Sequence, residues 1–559
     1  MNFRFSLLVL LLFGLATGWT QQQDAPKDWF HLNMSEDGFP GVSSQQLYAN
    51  VLNGVEGQPV IVAVIDGGVD YQHEDLDDIM WKNEDEIPGN GVDDDGNGYV
   101  DDIYGWNFIG GKDGENVHYD NLEVTRLYKK YKDRFEDVDM EELSKKERRQ
   151  YDQWMEYKKE VEEKREEMEQ NVTIYGGIYE AVKGLEKELG KESGKISLKD
   201  IQDFESDNPL LSRSAMIVAN MMSEGNSFQA IVNDLESAYE YFYNQYNYYY
   251  NPEFESRDKV GDNYGDPTER YYGNPDIKGP DAEHGTHVAG IIAAERENDL
   301  GIKGVANNVK IMGLRVVPDG DERDKDVANA IYYAVDNGAK VINMSFGKGY
   351  SPFKKVVDDA IKYARKKDVL LVHAAGNDGK ENFEDNNYPN DRFLKKGLFG
   401  PRYADNWIEV GAVNWEGEEE IAADFSNYSS DNVDVFAPGV DIYSTVPGDE
   451  YRAMPGTSMA APMISGVAAV LRSYFPDLSA EQVKEIILSS VDKQTQRVRK
   501  PGSEDMVPFG KLALSGGIVN VVEAVQLAAE TKGKNRKNGR YFGPHSDKEM
   551  KKDKDQATP

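Results

Sequence analysis

Val60-Ile61-Val62-Ala63-Val64-Ile65 is an unbroken apolar run that ends on Asp66-Gly67-Gly68. A strand with one wet face alternates apolar and polar side chains, so a continuous β-branched run predicts a strand covered on both faces. Outward from it, the same texture returns at Val309 to Val317, Val341-Ile342-Asn343-Met344 and Val369 to Val372. Between the later runs lie amphipathic helical patterns, Asp324 to Asn337 and Pro352 to Lys366. Buried strands alternating with helices predict an α/β domain of three layers, with a mostly parallel sheet between helices. The pattern occupies residues 59–116 and resumes over 256–530.

The remaining segments differ in composition. Residues 1–20 begin with Asn2 and Arg4, continue through the apolar Phe5 to Phe13, and reach small residues at Ala16-Thr17-Gly18. That is the layout of a cleaved signal peptide, so we expect a secreted protein, extracellular or in the cell envelope. The apolar run is short for a bilayer span and no second segment qualifies, which predicts no stable membrane insertion after cleavage. Residues 21–58 form an N-terminal segment. Residues 117–255 interrupt the α/β pattern, and within them 121–170 hold 16 acids and 13 bases. Tyr151, Trp154, Tyr157, Val161 and Met168 recur there at helical spacing, which predicts long charged surface helices. Seven tyrosines follow between Tyr239 and Tyr250, to pack the helices on the main domain or to serve as a carbohydrate or peptide platform. Residues 531–559 are basic and apolar-poor, a tail that cannot bury enough surface to order itself.

Whole-chain chemistry narrows the function. A net charge of -37 over 559 residues excludes nucleic acid as a partner, because phosphate binding needs basic stripes. The chain has no cysteine, which removes disulfides, thiolate nucleophiles and cysteine-type zinc sites.

Four short segments carry candidate chemistry. Asp66 closes the first strand, and in a parallel sheet the crevice lies outside the carboxyl ends of the strands. His284-Gly285-Thr286-His287-Val288-Ala289-Gly290 suits a closely packed helix that presents His284 at its start. Zinc on the two histidines would need further ligands and a glutamate base that are not evident, so His287 is expected to be buried and structural. Gly456-Thr457-Ser458-Met459-Ala460-Ala461-Pro462 places a serine hydroxyl at a helix N-terminus, where free N–H groups favour a developing oxyanion. Ala374-Ala375-Gly376-Asn377 brings a side-chain amide to a strand end, where a second oxyanion donor would be needed.

Together these segments resemble the subtilisin-like serine peptidases, whose catalytic residues also run Asp, His, Ser along the chain. The resemblance implies peptide-bond hydrolysis by a serine endopeptidase acting on polypeptides through an acyl-enzyme. Ser458 would be the nucleophile, His284 the base and then the acid, and Asp66 the residue orienting the imidazole. Asn377 would donate to the oxyanion. Ser345-Phe346-Gly347 would be the strand that pairs with extended substrate and walls the S1 pocket, and Asn387-Tyr388-Pro389 that pocket's floor, with room for a cis Tyr388–Pro389 bond. This chain departs from the family in having Gly67 where a serine or threonine usually follows the aspartate. It also has little room before the first strand for the usual propeptide.

A separate motif, Asp93-Asp94-Asp95-Gly96-Asn97-Gly98-Tyr99-Val100-Asp101-Asp102, follows the order of an EF-hand loop. Asp93, Asp95, Asn97, the Tyr99 carbonyl and Asp101 are the expected ligands of a structural calcium ion. The twelfth position is Tyr104 instead of glutamate, so the bidentate ligand must come from Asp102, from elsewhere or from water. The loop is similar to calcium loops of related subtilases. Catalysis itself calls for no cofactor.

Overall fold

The computed structural model describes residues 25–383, 385–394 and 401–535. The expected signal peptide, 1–20, and most of the expected tail, 531–559, lie outside them. Seven strands make the main sheet: β1 (Val60–Asp66), β2 (Gly105–Asn107), β3 (Val309–Arg315), β4 (Val341–Met344), β5 (Leu370–Ala374), β6 (Trp407–Val413) and β7 (Val435–Pro438). They lie side by side in the order β7-β6-β5-β4-β1-β3-β2, every neighbouring pair parallel. Two short strands, Gly517–Ile518 and Asp492–Lys493, extend the β7 edge, the last of them antiparallel.

Alternation along β1 divides the core. Val60, Val62 and Val64 face the helices Glu283–Ala293 and Thr457–Tyr474, while Ala63 and Ile65 face Asp324–Asp336 and Lys354–Lys366. Each strand residue is thus covered by one helical layer or the other, which is why the run could be apolar throughout. The chain builds β2 and β3 on one side of β1, then crosses back to place β4 on the other. Strand order therefore reverses between β1 and β4, and the crevice at their carboxyl ends is the place such sheets reserve for ligands.

The N-terminal segment belongs to this core. Trp29, Phe30, Val42 and Leu47 are buried in the layer of the Thr457–Tyr474 helix, and Val521 N–H donates to the Val42 carbonyl at 3.0 Å. His31 is clasped between Ser44 Oγ, 2.5 Å from Nδ1, and the Lys303 carbonyl, 2.6 Å from Nε2.

The insertion forms five α-helices, Glu123–Phe135, Lys145–Leu189, Leu198–Gln202, Pro209–Ser223 and Phe228–Asn244. The longest opens on a Ser144–Glu147 capping box and ends on Gly190 in the left-handed region. Its distal half has a core of its own around Leu185, Val218, Phe228 and Ile231. Its proximal half buries Trp154, Tyr157, Val161 and Met168 against Leu127, Phe135 and Tyr250. Of the clustered tyrosines, Tyr249 donates to Asp319 of the main domain, and Tyr248 stacks on Tyr119 at the start of the insertion, ring centroids 4.1 Å apart.

Burial holds two histidines neutral. Desolvation, with Arg296 nearby, brings His31 down to about 3, and desolvation brings His287 down to about 4. A depressed histidine stabilises the fold above its unfolded value near 6.5, and that contribution is lost as pH falls. Thermal stability should therefore drop as pH is lowered from 6.5 towards 4. The drop should be smaller in His31→Gln, whose amide cannot titrate. Equal acid sensitivity of the two proteins in thermal melts would remove His31 as a cause.

Candidate active site

Asp66 is the last residue of β1 and 2% exposed. Its Oδ1 accepts the Gly67 N–H at 2.7 Å and lies 2.8 Å from His284 Nδ1. His284 sits in the first turn of the Glu283–Ala293 helix, which reaches the strand end because Gly285 has no side chain. A Cβ there would come within 2.1 Å of the Gly68 carbonyl oxygen. The His284 side chain is 43% exposed, so its outer edge faces the open crevice. Desolvation pulls the imidazole down, but the Asp66 carboxylate, with Asp281 and Glu283 beyond it, outweighs that and holds it above the ordinary histidine value. His287 is fully buried with Nε2 3.0 Å from the Arg452 carbonyl, and the histidine pair belongs to no metal-holding group among the described residues.

Ser458 stands in the first turn of the Thr457–Tyr474 helix. Pro462, four residues on, has no N–H, so the Ser458 carbonyl lacks its helical partner. Ser345, just beyond β4, supplies one, its Oγ donating to that carbonyl at 2.9 Å. The bond is returned, since Ser458 Oγ donates to the Ser345 carbonyl at 3.0 Å. Asn343 Nδ2 holds Ser345 Oγ at 3.0 Å, and Ser465 Oγ holds Asn343 Oδ1 at 2.8 Å, so a fully buried polar chain fixes helix to strand. The Ser458 hydroxyl is thus engaged with Ser345 instead of with His284 Nε2.

Asn377 follows β5. Its Oδ1 accepts from both the N–H and the Oγ1 of Thr457, each at 2.9 Å, which turns the Nδ2 end away from the helix. Gly456 has φ 147 and no side chain. A Cβ built there would be 3.5 Å from Ser458 N and 3.6 Å from both Asn377 Nδ2 and Met459 Sδ, so the two nitrogen donors lie close to one another beside the helix N-terminus.

Of the remaining expected residues, Gly347 lies against Asn387, where an added Cβ would be 2.5 Å from Asn387 Oδ1. Phe346 is half-buried and Gly347 exposed. Asn387 Nδ2 donates to the Ala375 carbonyl and to Glu409 Oε1, both at 3.1 Å, and the Tyr388–Pro389 bond is cis. Thr457, Asn343, Ser465 and Glu409 escaped the sequence reading. Only Pro462, a proline inside a helix, signalled that a carbonyl partner had to come from elsewhere.

The acidic loop differs in part from expectation. The carboxylates that converge within 4.8 Å are Glu86, Asp95 and Asp102. Asp101 has φ 57 and accepts the Asn90 and Gly91 N–H groups, which turns it to another side of the loop. Asp93 accepts the Asn97 and Gly98 N–H groups, and Asn97 Nδ2 bridges Asp95 and Asp102 at 3.0 Å each. Burial pushes Asp102 up to about 6 against the hydrogen bonds it accepts from Tyr333, Asn83 and Asn97, with the Asp95 charge adding to the rise. Tyr99 is buried beside Tyr333, with ring centroids 4.9 Å apart.

A parallel sheet with a carboxylate, an imidazole and a serine hydroxyl at its switch point is the architecture of a serine peptidase of the α/β class. The subtilase family model matches residues 57–510, and the chain belongs to that family. It is 43% identical over 191 residues to a thermophilic serine proteinase of Bacillus sp. strain AK1, a stretch covering 34% of this chain and 42% of that one. It is 36% identical over 246 residues to subtilisin DY of Bacillus licheniformis, covering 44% of this chain and 77% of the relative. Thermitase of Thermoactinomyces vulgaris is 39% identical over 211 residues, covering 38% and 67% respectively.

Gly67 leaves a mark on this site. Asp66 Oδ2 is buried and has no hydrogen-bond partner. A Cβ at Gly67 would meet its nearest neighbour, the Val317 carbonyl oxygen, at 3.3 Å, a tight contact that a small shift of that carbonyl relieves, and Gly67 is not in the left-handed region. Gly67→Ser should therefore fold and give Oδ2 a donor, raising kcat for peptide hydrolysis a few-fold with KM unchanged. An unaltered kcat in the folded variant would show that Oδ2 needs no partner to do its work.

Proposed function

We propose that the protein is a secreted endopeptidase that cleaves polypeptides with Ser458 as nucleophile, His284 as general base and Asp66 as its orienting acid. The observation that carries this is the Asp66–His284 bond of 2.8 Å at the carboxyl edge of the sheet, beside a serine at a helix N-terminus. Substrate would lie along Ser345–Gly347, with its side chain between that strand and Asn387. Ser458 Oγ then turns from the Ser345 carbonyl to His284 Nε2, gives up its proton there and bonds to the scissile carbonyl carbon. Charge gathers on the carbonyl oxygen, towards which Asn377 Nδ2 and the Ser458 N–H would donate. The C–N bond breaks as His284 returns the proton to the leaving amine. Water, deprotonated by His284, cleaves the resulting ester and frees the acid and Ser458. The N-terminal layout of the sequence supports secretion, and no helix among the described residues is long and apolar enough to cross a membrane.

His284 must be neutral to accept the proton. Its value is raised, so the charged form persists above pH 6.5, and activity should climb with pH through a midpoint above that value. Ser458→Ala should abolish both hydrolysis of casein and labelling by a fluorophosphonate. A folded wild-type protein that neither labels nor cleaves would sink the proposal.

Calcium would fit the acidic loop, since Glu86, Asp95 and Asp102 offer hard oxygen ligands whose mutual repulsion a cation relieves. An ion bound only by the native state adds stability by mass action. Calcium should raise the melting temperature of chelator-treated protein, and Asp95→Ala should remove most of that gain. Identical melts with and without the ion, in protein shown metal-free by elemental analysis, would reduce the loop to an acidic turn.

A further inference from the structure

The segment Ser345–Gly347, which continues the chain beyond β4, is anchored from outside the sheet. Lys348, the next residue, exchanges both main-chain hydrogen bonds with Tyr388, at 2.9 and 3.0 Å. That register sets Gly347 against the pocket floor, where a Cβ on Gly347 would lie 2.5 Å from Asn387 Oδ1. Among the described residues no hydrogen bond engages the main chain of Gly347, which leaves an open edge for another strand.

The Lys348 side chain runs inward and is 1% exposed. Its Nζ meets three oxygens from two segments: the Glu322 carbonyl at 2.7 Å and Asp324 Oδ1 at 3.0 Å from one, and Glu123 Oε2 at 3.0 Å from the insertion. Glu123 opens the first helix of the insertion and is itself buried. Its N–H donates to Asp321 Oδ2 at 2.7 Å, and its carboxylate pairs with Arg126 at 2.7 Å. Arg126 reaches back to the Asp321 carbonyl at 3.1 Å and to Asp120 at 3.4 Å. The ammonium cannot leave this site without exposing buried charges to a medium that solvates them poorly, so its backbone is pinned. An apolar pair would bury as well without the desolvation cost, but three oxygens converging on one nitrogen also fix direction.

We propose that Glu123 is a positioning residue for peptide substrates. Through Lys348 the insertion fixes the strand on which residues N-terminal to the scissile bond lie, so docking of the insertion sets how well extended substrates are held. The inference rests on the reading of Ser345–Gly347 as the substrate strand.

The test uses the full chain carrying Glu123→Gln. Asp324 and the Glu322 carbonyl remain on Lys348, so the variant should fold. Kinetics are compared on an acyl-tetrapeptide anilide and on a single-residue ester with the same P1 side chain, alongside fluorophosphonate labelling. KM for the tetrapeptide should rise several-fold with kcat little changed, the pattern of lost uniform binding. The ester and the labelling rate, which do not use the strand, should be unaltered. Tyr350→Phe, which removes a 3.0 Å contact to Glu160 of the insertion without touching Lys348, should change neither substrate. If Glu123→Gln does not fold, Arg126→Lys loosens the same carboxylate and should raise the tetrapeptide KM in the same direction. Equal losses on both substrates, or an unchanged tetrapeptide KM in a folded variant, overturn the proposal while leaving the peptidase reading intact. A wild type that hydrolyses the tetrapeptide anilide no better than a single-residue anilide with the same P1 side chain overturns the substrate strand and this inference with it, and a wild type inert to anilides, ester and fluorophosphonate alike overturns the peptidase reading too.

Discussion

The Ser458 carbonyl has no helical partner because Pro462 cannot donate to it, and the donor comes from Ser345 on a neighbouring strand end. A helix normally satisfies its own carbonyls and can slide or rotate against a sheet at modest cost. Here one of them is buried at the strand end, where leaving it unpaired would cost about 1–3 kcal/mol. The helix therefore has one seating on the sheet. With Asn377 tied to Thr457 in the same turn, that seating places the serine hydroxyl, the free N–H groups and the amide together. Asp66 and His284 meet this assembly across the switch point, held by a helix that only Gly285 allows so close.

Charge is handled differently in the site and around it. At the site a single carboxylate faces a single imidazole, one oxygen of the carboxylate being left without a partner. Where the insertion docks, five acids and three bases crowd into one region: Asp120, Glu123, Asp321, Glu322 and Asp324 with Arg126, Arg323 and Lys348. Desolvation pushes Glu322 above the ordinary carboxylate range despite the nearby lysine, with the Asp321 charge adding to the rise. The insertion is thus joined to the domain by a buried electrostatic junction, while its apolar surface is spent largely on its own two cores.

What was legible in the sequence follows from how local each signal is. Strands β1, β3, β4 and β5 were readable because they are buried on both faces and so are continuous apolar runs. Strand β6 was less visible because Glu409 interrupts it, a carboxylate kept inside by His373, Trp407 and Asn387. Strand β2 is three residues long, too short to carry a period. Asp66, His284, Asn377 and Ser458 each sit in a compact motif. Lys348 and Glu123 do not, being ordinary charged residues that meet across 225 positions. Glu86 lies ahead of the acidic loop, outside the spacing that drew attention to Asp93 through Asp101.

The place of β1 in the sheet also governs how the chain can fold. It is made before both of its neighbours, yet it lies at the centre, with partners that begin at Val309 and Val341. Until those residues are made, an apolar strand has both edges open. The insertion intervenes in that interval with helices, short-range contacts and cores of its own, the kind of structure that forms quickly. Closing a long loop costs only slightly more than closing a short one once the loop itself is compact. The residues between Asp66 and His284 are thus all made before either sheet partner of β1, and helices with their own cores make that long connection compact.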